Sequence, residues 1–134
     1  MSSNEHILQK QFIELLHLHN ILVISTDIMD GLKFCGNEKN RFSFISHHKQ
    51  MGYVKGQPDL IVIIKDAVVF VEMKFDNGRQ TKEQKQFEKR VKELVHNYIV
   101  LHSWRECEEF VKAITEPSDL EQLYYSIKKL AEMK

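Results

Sequence analysis

The chain has 134 residues, 43% of them hydrophobic and 28% charged, and its formal net charge at pH 7 is zero. Its length fits a single domain, its composition is ordinary for a globular protein, and no apolar run approaches the roughly 20 residues of a membrane span. The lack of excess positive charge argues mildly against a strong non-specific DNA binder, because phosphate contacts usually require extra Lys and Arg. The two cysteines, Cys35 and Cys107, lie far apart without metal-ligand spacing, so we expect a reduced cytoplasmic setting and no disulfide.

The first half of the chain predicts a helix, two strands and two loops. Residues 3–19 predict a helix, since apolar residues recur there at helical spacing: Ile7, Leu8, Phe12, Leu15 and Leu16. Residues 21–26 predict a strand, and the polar, glycine-punctuated segment 27–40 predicts a loop. Polar and apolar residues alternate over 41–45, which predicts a strand exposed on one side, and residues 47–55 predict a second loop.

A β-hairpin is the clearest local prediction. Residues 59–75 contain two β-branched and aromatic runs around a short polar break, Lys65-Asp66. Both runs are apolar on both faces, so we expect central strands that are covered on both sides. With a two-residue turn, Asp59 falls opposite Glu72, and a slip by one residue pair would instead place Asp59 opposite Lys74. In either register the three side chains share one face, because strand side chains alternate with period two.

Three capping boxes predict helix starts in the second half of the chain. They are Thr81 to Gln84, Ser103 to Glu106 and Ser118 to Glu121. The predicted helices run to about His96, through Ile114 and to the C-terminus, with a strand over 98–101 between the first two.

The predicted order is α-β-β-β-β-α-β-α-α, an α/β fold with helices around a mixed sheet. The prediction is one domain over residues 1–134, with a core over about 4–110 and a helical extension over about 118–132. The extension has an apolar face that would cover the body or a second subunit: Leu120, Leu123, Tyr124, Ile127 and Leu130.

Two carboxylates and an ammonium at one end of an apolar hairpin are costly to bury and need a reason. One reading of Asp59, Glu72 and Lys74 is a cross-strand salt bridge at the hairpin base. The other is a metal site, since paired carboxylates hold Mg²⁺ or Mn²⁺ and the metal acidifies a bound water. The lysine would then orient that water or neutralise charge in the transition state.

Four short motifs carry a resemblance to a known family. They are Asn-Glu-His-Ile-Leu-Gln at 4–9, Gly-Gln-Pro-Asp at 56–59, Val-Glu-Met-Lys at 71–74, and the Gly-Arg-x-Thr-x-x-Gln helix start within 77–84. In this order and spacing the chain resembles the VRR-NUC (virus-type replication-repair nuclease) branch of the PD-(D/E)XK nuclease superfamily, over about residues 4–110. The resemblance implies a restriction-endonuclease-like fold, with a mixed central sheet flanked by helices.

The resemblance also implies metal ligands. Asp59 and Glu72 would bind Mg²⁺ or Mn²⁺ directly, with the backbone carbonyl of Met73 as a third protein ligand. A glutamate of the first helix would assist through water, and we favour Glu5 over the competing Glu14. Whether one metal ion or two would bind is left open.

The remaining site residues follow from the same resemblance. Lys74 would align the attacking water, and Gln84 would help to position that lysine or the phosphate, although its capping-box role uses the same side chain. Arg79, Lys82 and Lys85 would contact DNA; the alternative for this basic stretch is a solvated helix face.

The implied function is a metal-dependent DNA endonuclease that leaves a 3′-hydroxyl and a 5′-phosphate. Stand-alone members resemble phage-type enzymes that act as homodimers on branched DNA such as four-way (Holliday) junctions, in repair or recombination. We therefore expect a homodimer in the cytoplasm of a bacterium or of a phage-infected host. The alternative is a non-catalytic or accessory DNA-binding subunit that needs a partner such as a helicase.

Overall fold

A four-stranded mixed sheet organises the computed structural model, which describes residues 3–26, 35–116, 127–130 and 132. The elements in chain order are α1 Ser3–Leu18, β1 Leu22–Ser25, α2 Glu38–Gln50, β2 Leu60–Ile64, β3 Ala67–Met73, α3 Lys82–Glu93, β4 Asn97–Leu101 and α4 Trp104–Thr115. Strands β1, β2 and β3 are antiparallel neighbours, and β4 lies parallel to β3 after the α3 crossover. The predicted fold class, a mixed sheet flanked by helices, is confirmed.

The hairpin has the predicted register. Ile64 pairs with Ala67 across the turn, and Leu60 pairs with Val71 at the other end of the ladder. The position before Leu60 therefore lies opposite Glu72, and that position is Asp59. The alternative register with a one-pair slip does not occur.

The two faces of the sheet differ in how completely they are covered. Helices α1 and α4 bury one face, where Phe12 and Phe110 meet edge to face at 5.8 Å between ring centroids. Helix α3 covers the other face at the β3–β4 side, where Phe87 contacts Phe70. Leu22 and Ile24 of β1 point to that second face and are 61% and 49% exposed, so the expected coverage of both faces holds only in part.

The predicted strand over residues 41–45 is wrong, because helix α2 occupies this segment. The Asn37 side chain caps the helix by accepting the Asn40 N–H at 2.8 Å, and the helix also replaces parts of both predicted loops. Strand β1 pairs directly with β2, and the segment that connects them forms no part of the described sheet. Aromatic and polar residues alternate at 41–45 as they do in a half-exposed strand, but the segment is helical. The third element of the predicted order is therefore a helix.

The C-terminal prediction is described only in part. The Ser118 capping box and the apolar residues Leu120, Leu123 and Tyr124 lie outside the described residues. Residues 127–130 are helical, with Ile127 buried in the core and Leu130 packed against it. At these two positions the apolar face packs within its own chain. Within the described ranges, no helix is long and apolar enough to cross a membrane.

Candidate active site

The end of the hairpin that carries Asp59 opens into a cavity of about 220 Å³. Five predicted site residues line it: Glu5, Asp59, Glu72, Lys74 and Gln84. The rest of the wall comprises Thr26, Tyr53, Lys55, Gly56, Gln57, Pro58, Thr81 and Glu83. The cavity thus joins the start of α1, the segment before β2, the end of β3 and the start of α3.

The two hairpin carboxylates lie side by side at the base of this cavity. Asp59 Oδ2 accepts the Met73 N–H at 2.7 Å, which fixes the carboxylate across the hairpin. Glu72 is only 1% exposed, although it is ionisable. Burial, and then the charge of Asp59 and a hydrogen bond with it, raise the pKa of Glu72 to about 9, while the charge of Lys74 opposes the rise. A pKa of about 9 favours the protonated form of Glu72 at neutral pH when no cation is bound.

Glu72 is also held by two neutral donors. The Gln84 Nε2 group donates to Glu72 Oε1 at 3.0 Å, and the Tyr98 hydroxyl donates to Glu72 Oε2 at 3.4 Å. Gln80 Nε2 donates in turn to the Tyr98 hydroxyl at 3.5 Å. Burial and the nearby charge of Glu72 raise the pKa of Tyr98 far above its ordinary value, so the hydroxyl keeps its proton.

Gln84 both caps α3 and contacts the carboxylate site, two roles that the sequence offered as alternatives. Its Oε1 atom accepts the Thr81 N–H at 2.7 Å, and Thr81 Oγ1 accepts the Gln84 N–H at 3.2 Å, so the predicted capping box is present. The Nε2 end of the same amide donates to Glu72. The first turn of α3 is therefore linked directly to the buried carboxylate.

The helix acid that borders the cavity is Glu5. Gly78 lies between Glu5 and Lys74, since a Cβ added at Gly78 would meet Glu5 Oε1 at 3.5 Å and Lys74 Cβ at 3.4 Å. Glu14 is exposed and is not part of the cavity wall. Of the two candidate acids, Glu5 therefore lies at the cavity, and its role as the helix acid stays a prediction.

The three predicted DNA contacts lie outside the cavity wall. Arg79, Lys82 and Lys85 are all exposed, Arg79 in the loop before α3 and the two lysines on its first turns. Their assignment as DNA contacts stays a prediction.

Sequence reasoning missed several residues of the site. The sequence pattern predicts only a strand at Tyr98, although a hydroxyl within an otherwise aliphatic strand is a signal that it needs a buried partner. Tyr53 and Lys55 fell in a predicted loop, and Lys55 forms an ion pair with Glu83 at 3.6 Å across the cavity rim. Their role depends on where the loop lies, which no local pattern gives.

The donor set fits a hard divalent cation. Asp59 and Glu72 bring two carboxylates together, and Glu5 lines the same cavity. A cation between the pair would replace the retained proton and relieve the repulsion that raises the pKa of Glu72. No group of three His, Cys, Asp or Glu side chains with metal-binding geometry occurs among the described residues. Water and substrate oxygens would complete a shell of the kind that Mg²⁺ prefers.

Comparison with known proteins yields one structural likeness. No model of a known protein family matches the chain, and no curated protein matches it. A solved structure described as a VRR_NUC domain superposes with a TM-score of 0.60 and 20% sequence identity, over 83% of this chain and 97% of that one. The likeness confirms that the fold is that of a VRR_NUC domain, as the sequence motifs indicated.

Proposed function

We propose that this protein is a divalent-metal-dependent DNA endonuclease that hydrolyses phosphodiester bonds. One observation carries the proposal: Asp59, Glu72 and Lys74 meet in a single cavity, together with Glu5 and Gln84. Two carboxylates and a lysine at one cavity suit the hydrolysis of a phosphodiester better than they suit a salt bridge at a hairpin base. The VRR_NUC fold supports the same reaction class.

The metal would be Mg²⁺ or Mn²⁺, held by Asp59 and Glu72 with the Met73 carbonyl and with Glu5 through water. Such a cation supplies Lewis-acid stabilisation of the phosphate and lowers the pKa of water. Gln84 and Tyr98 keep the Glu72 carboxylate in one orientation through their hydrogen bonds. A fixed carboxylate reduces the reorganisation that binding requires.

Lys74 is the proposed catalytic cation. Its side chain lines the same cavity as the two carboxylates, and its positive charge opposes the rise in the pKa of Glu72. Lys74 would align the attacking water and stabilise the negative charge that develops on the phosphate, leaving a 3′-hydroxyl and a 5′-phosphate.

The test is cleavage of labelled duplex, flap and four-way-junction DNA, with and without Mn²⁺. Lys74→Ala should abolish cleavage and leave folding and metal binding largely intact, whereas Asp59→Ala should weaken metal binding measured by calorimetry. Lys65→Ala is the matched control, because Lys65 lies in the hairpin turn at the other end of β2 and β3. Wild-type turnover by Lys74→Ala would refute the assigned role. DNA binding without cleavage under every metal condition would favour the accessory-subunit alternative.

The proposed assembly is a homodimer that prefers branched DNA such as four-way junctions. One site cuts one strand, so symmetric cleavage of a junction requires two subunits related by a two-fold axis. The exposed apolar side chains Leu22 and Ile24 offer a surface that a second copy would cover. The proposed setting is the cytoplasm of a bacterium or of a phage-infected host.

A further inference from the structure

The segment before β2 ends at one rim of the candidate site and is rich in positive charge. Residues 38–55 contain four basic side chains, Lys39, Arg41, Lys49 and Lys55, and one acidic side chain, Glu38. The segment includes α2 and ends beside the cavity, where Tyr53 and Lys55 form part of the wall. Lys55 therefore brings one of these positive charges to the cavity wall.

Helix α2 is not held by the core of its own chain. It has 13 residues and none of them is buried. A helix of this length is marginal in water without packing partners, so a bound partner would stabilise it. Lys39, Arg41 and Lys49 are exposed, and no carboxylate in the described part of the chain forms an ion pair with any of them. These charges remain available to a polyanion.

The turn after α2 is ordered by hydrogen bonds that Gln57 organises. Gln57 Oε1 accepts the Val54 N–H at 3.2 Å, and Gln57 Nε2 donates to the Thr26 carbonyl at 2.7 Å. The Tyr53 N–H donates to the His48 carbonyl at 2.8 Å, which ties the turn back to α2. Tyr53 and Lys55 are thus presented at the rim by a preorganised turn.

The opposite rim belongs to α3 and is less favourable to an anion. Its acidic residues lie among its cations, and Glu88 pairs with Lys92 at 2.6 Å. Glu83 at the rim pairs with Lys55, and its own backbone N–H and then the charge of Lys55 lower the pKa of its carboxyl. Glu83 therefore stays ionised and competes with any phosphate for Lys55.

We infer that the nucleic-acid strand crosses the cavity between α3 and the 38–55 segment, with Lys49 and Lys55 contacting its phosphates on the 38–55 side. This inference rests on the proposed function and adds a second contact surface to that of Arg79, Lys82 and Lys85. Lys39 and Arg41, at the far end of α2, lie roughly 15 Å further along the helix axis, where flanking DNA would pass.

The test is equilibrium binding of fluorescein-labelled duplex by anisotropy, with Ca²⁺ replacing Mn²⁺ to prevent cleavage. The variant Lys49→Ala/Lys55→Ala should bind on the order of tenfold more weakly, and the slope of log affinity against log salt should fall by about 1.8, or about 0.9 for each lost phosphate contact. The control Lys65→Ala/Lys112→Ala removes the same charge away from the cavity and should match the wild type. Glu83→Gln should tighten binding, because it removes the carboxylate that competes for Lys55.

The outcomes separate this inference from the proposed function. If the wild type cleaves DNA but the Lys49→Ala/Lys55→Ala variant binds like its control, the inference is overturned and the nuclease remains. If the wild type neither binds nor cleaves any DNA substrate, the proposed function fails first. A change in oligomeric mass of the double variant, with unchanged DNA affinity, would assign the segment to a subunit interface and would also overturn the inference.

Discussion

Glu72 is the residue on which the candidate site depends most. It is buried, burial and the neighbouring Asp59 raise its pKa, and its two oxygens accept hydrogen bonds from Gln84 and Tyr98. A buried acid of this kind costs stability in the absence of a cation, and functional sites commonly contain such groups. The stability of the metal-free protein should therefore depend on whether the Glu72 carboxyl is protonated.

The pH dependence of the free energy of unfolding follows from the raised pKa of Glu72. The pKa of Glu72 is about 9 in the folded state, against the ordinary value of 4.5. Between these values the folded state binds more protons than the unfolded state, so the free energy of unfolding falls as pH rises, by at most about 1.4 kcal/mol per pH unit. We expect the thermal midpoint in EDTA to fall between pH 5 and pH 9, and Glu72→Gln to flatten that slope.

The control for this experiment is Glu14→Gln, since Glu14 is exposed on α1. It should retain the wild-type dependence on pH. An unchanged slope in Glu72→Gln would show that another group carries the proton. Mn²⁺ should raise the midpoint of the wild type at high pH, because the metal binds the folded protein preferentially.

At the scale of elements, the start of α3 is fixed to the carboxylate site by its cap. Gln84→Ala and Thr81→Ala should each destabilise the protein by about 1 kcal/mol, because each breaks the capping box. Only Gln84→Ala also removes the donor to Glu72. We therefore expect weaker Mn²⁺ binding by calorimetry in Gln84→Ala and near-wild-type binding in Thr81→Ala. Equal metal affinity in the two variants would show that Gln84 caps the helix but does not support metal binding.

The packing of the 52–58 turn against α3 depends on Gly56. Its φ is +90°, and an added Cβ would lie 2.4 Å from the backbone carbonyl of Glu83. Gly52 has a comparable φ of +106° but no neighbour within 4 Å of an added Cβ. Both substitutions to Ala carry backbone strain of roughly 1–3 kcal/mol.

Gly56→Ala should cost more than Gly52→Ala, because the clash displaces the first turn of α3 from the strand that begins after Asp59. Chemical denaturation measures the difference in unfolding free energy, and metal affinity should fall only in Gly56→Ala. Equal destabilisation by both variants would mean that α3 can shift away from residue 56 without loss of stability.

At the scale of the whole molecule, the proposed homodimer is testable by mass. Light scattering should give about twice the 15.9 kDa of one chain. Ile24→Lys on the exposed outer face of β1 should shift the protein toward monomer, whereas Val95→Lys, at an exposed site in the α3–β4 connection, should not. A monomeric wild-type protein at working concentration would contradict the proposed dimer. Equal cutting of linear and four-way-junction DNA would remove the structural preference alone.

The sequence by itself determined the hairpin, the shared face of its three polar side chains and the start of α3. The period of two places Asp59, Glu72 and Lys74 on one face in either register, and the observed pairing then places Asp59 opposite Glu72. A capping box depends only on residues within four positions of each other, and Thr81 and Gln84 form one as expected. These features depend on short-range geometry, so the motifs and the fold class could be predicted together.

Only the tertiary structure decided the contacts that join distant segments. The alternation at residues 41–45 predicted a strand, but the segment forms α2 and takes no part in the described sheet. The hydrogen bond from Tyr98 to Glu72 and the ion pair of Lys55 with Glu83 connect residues from separate elements. Such contacts follow from how the elements pack, and local propensity carries no information about which side chains packing will bring together.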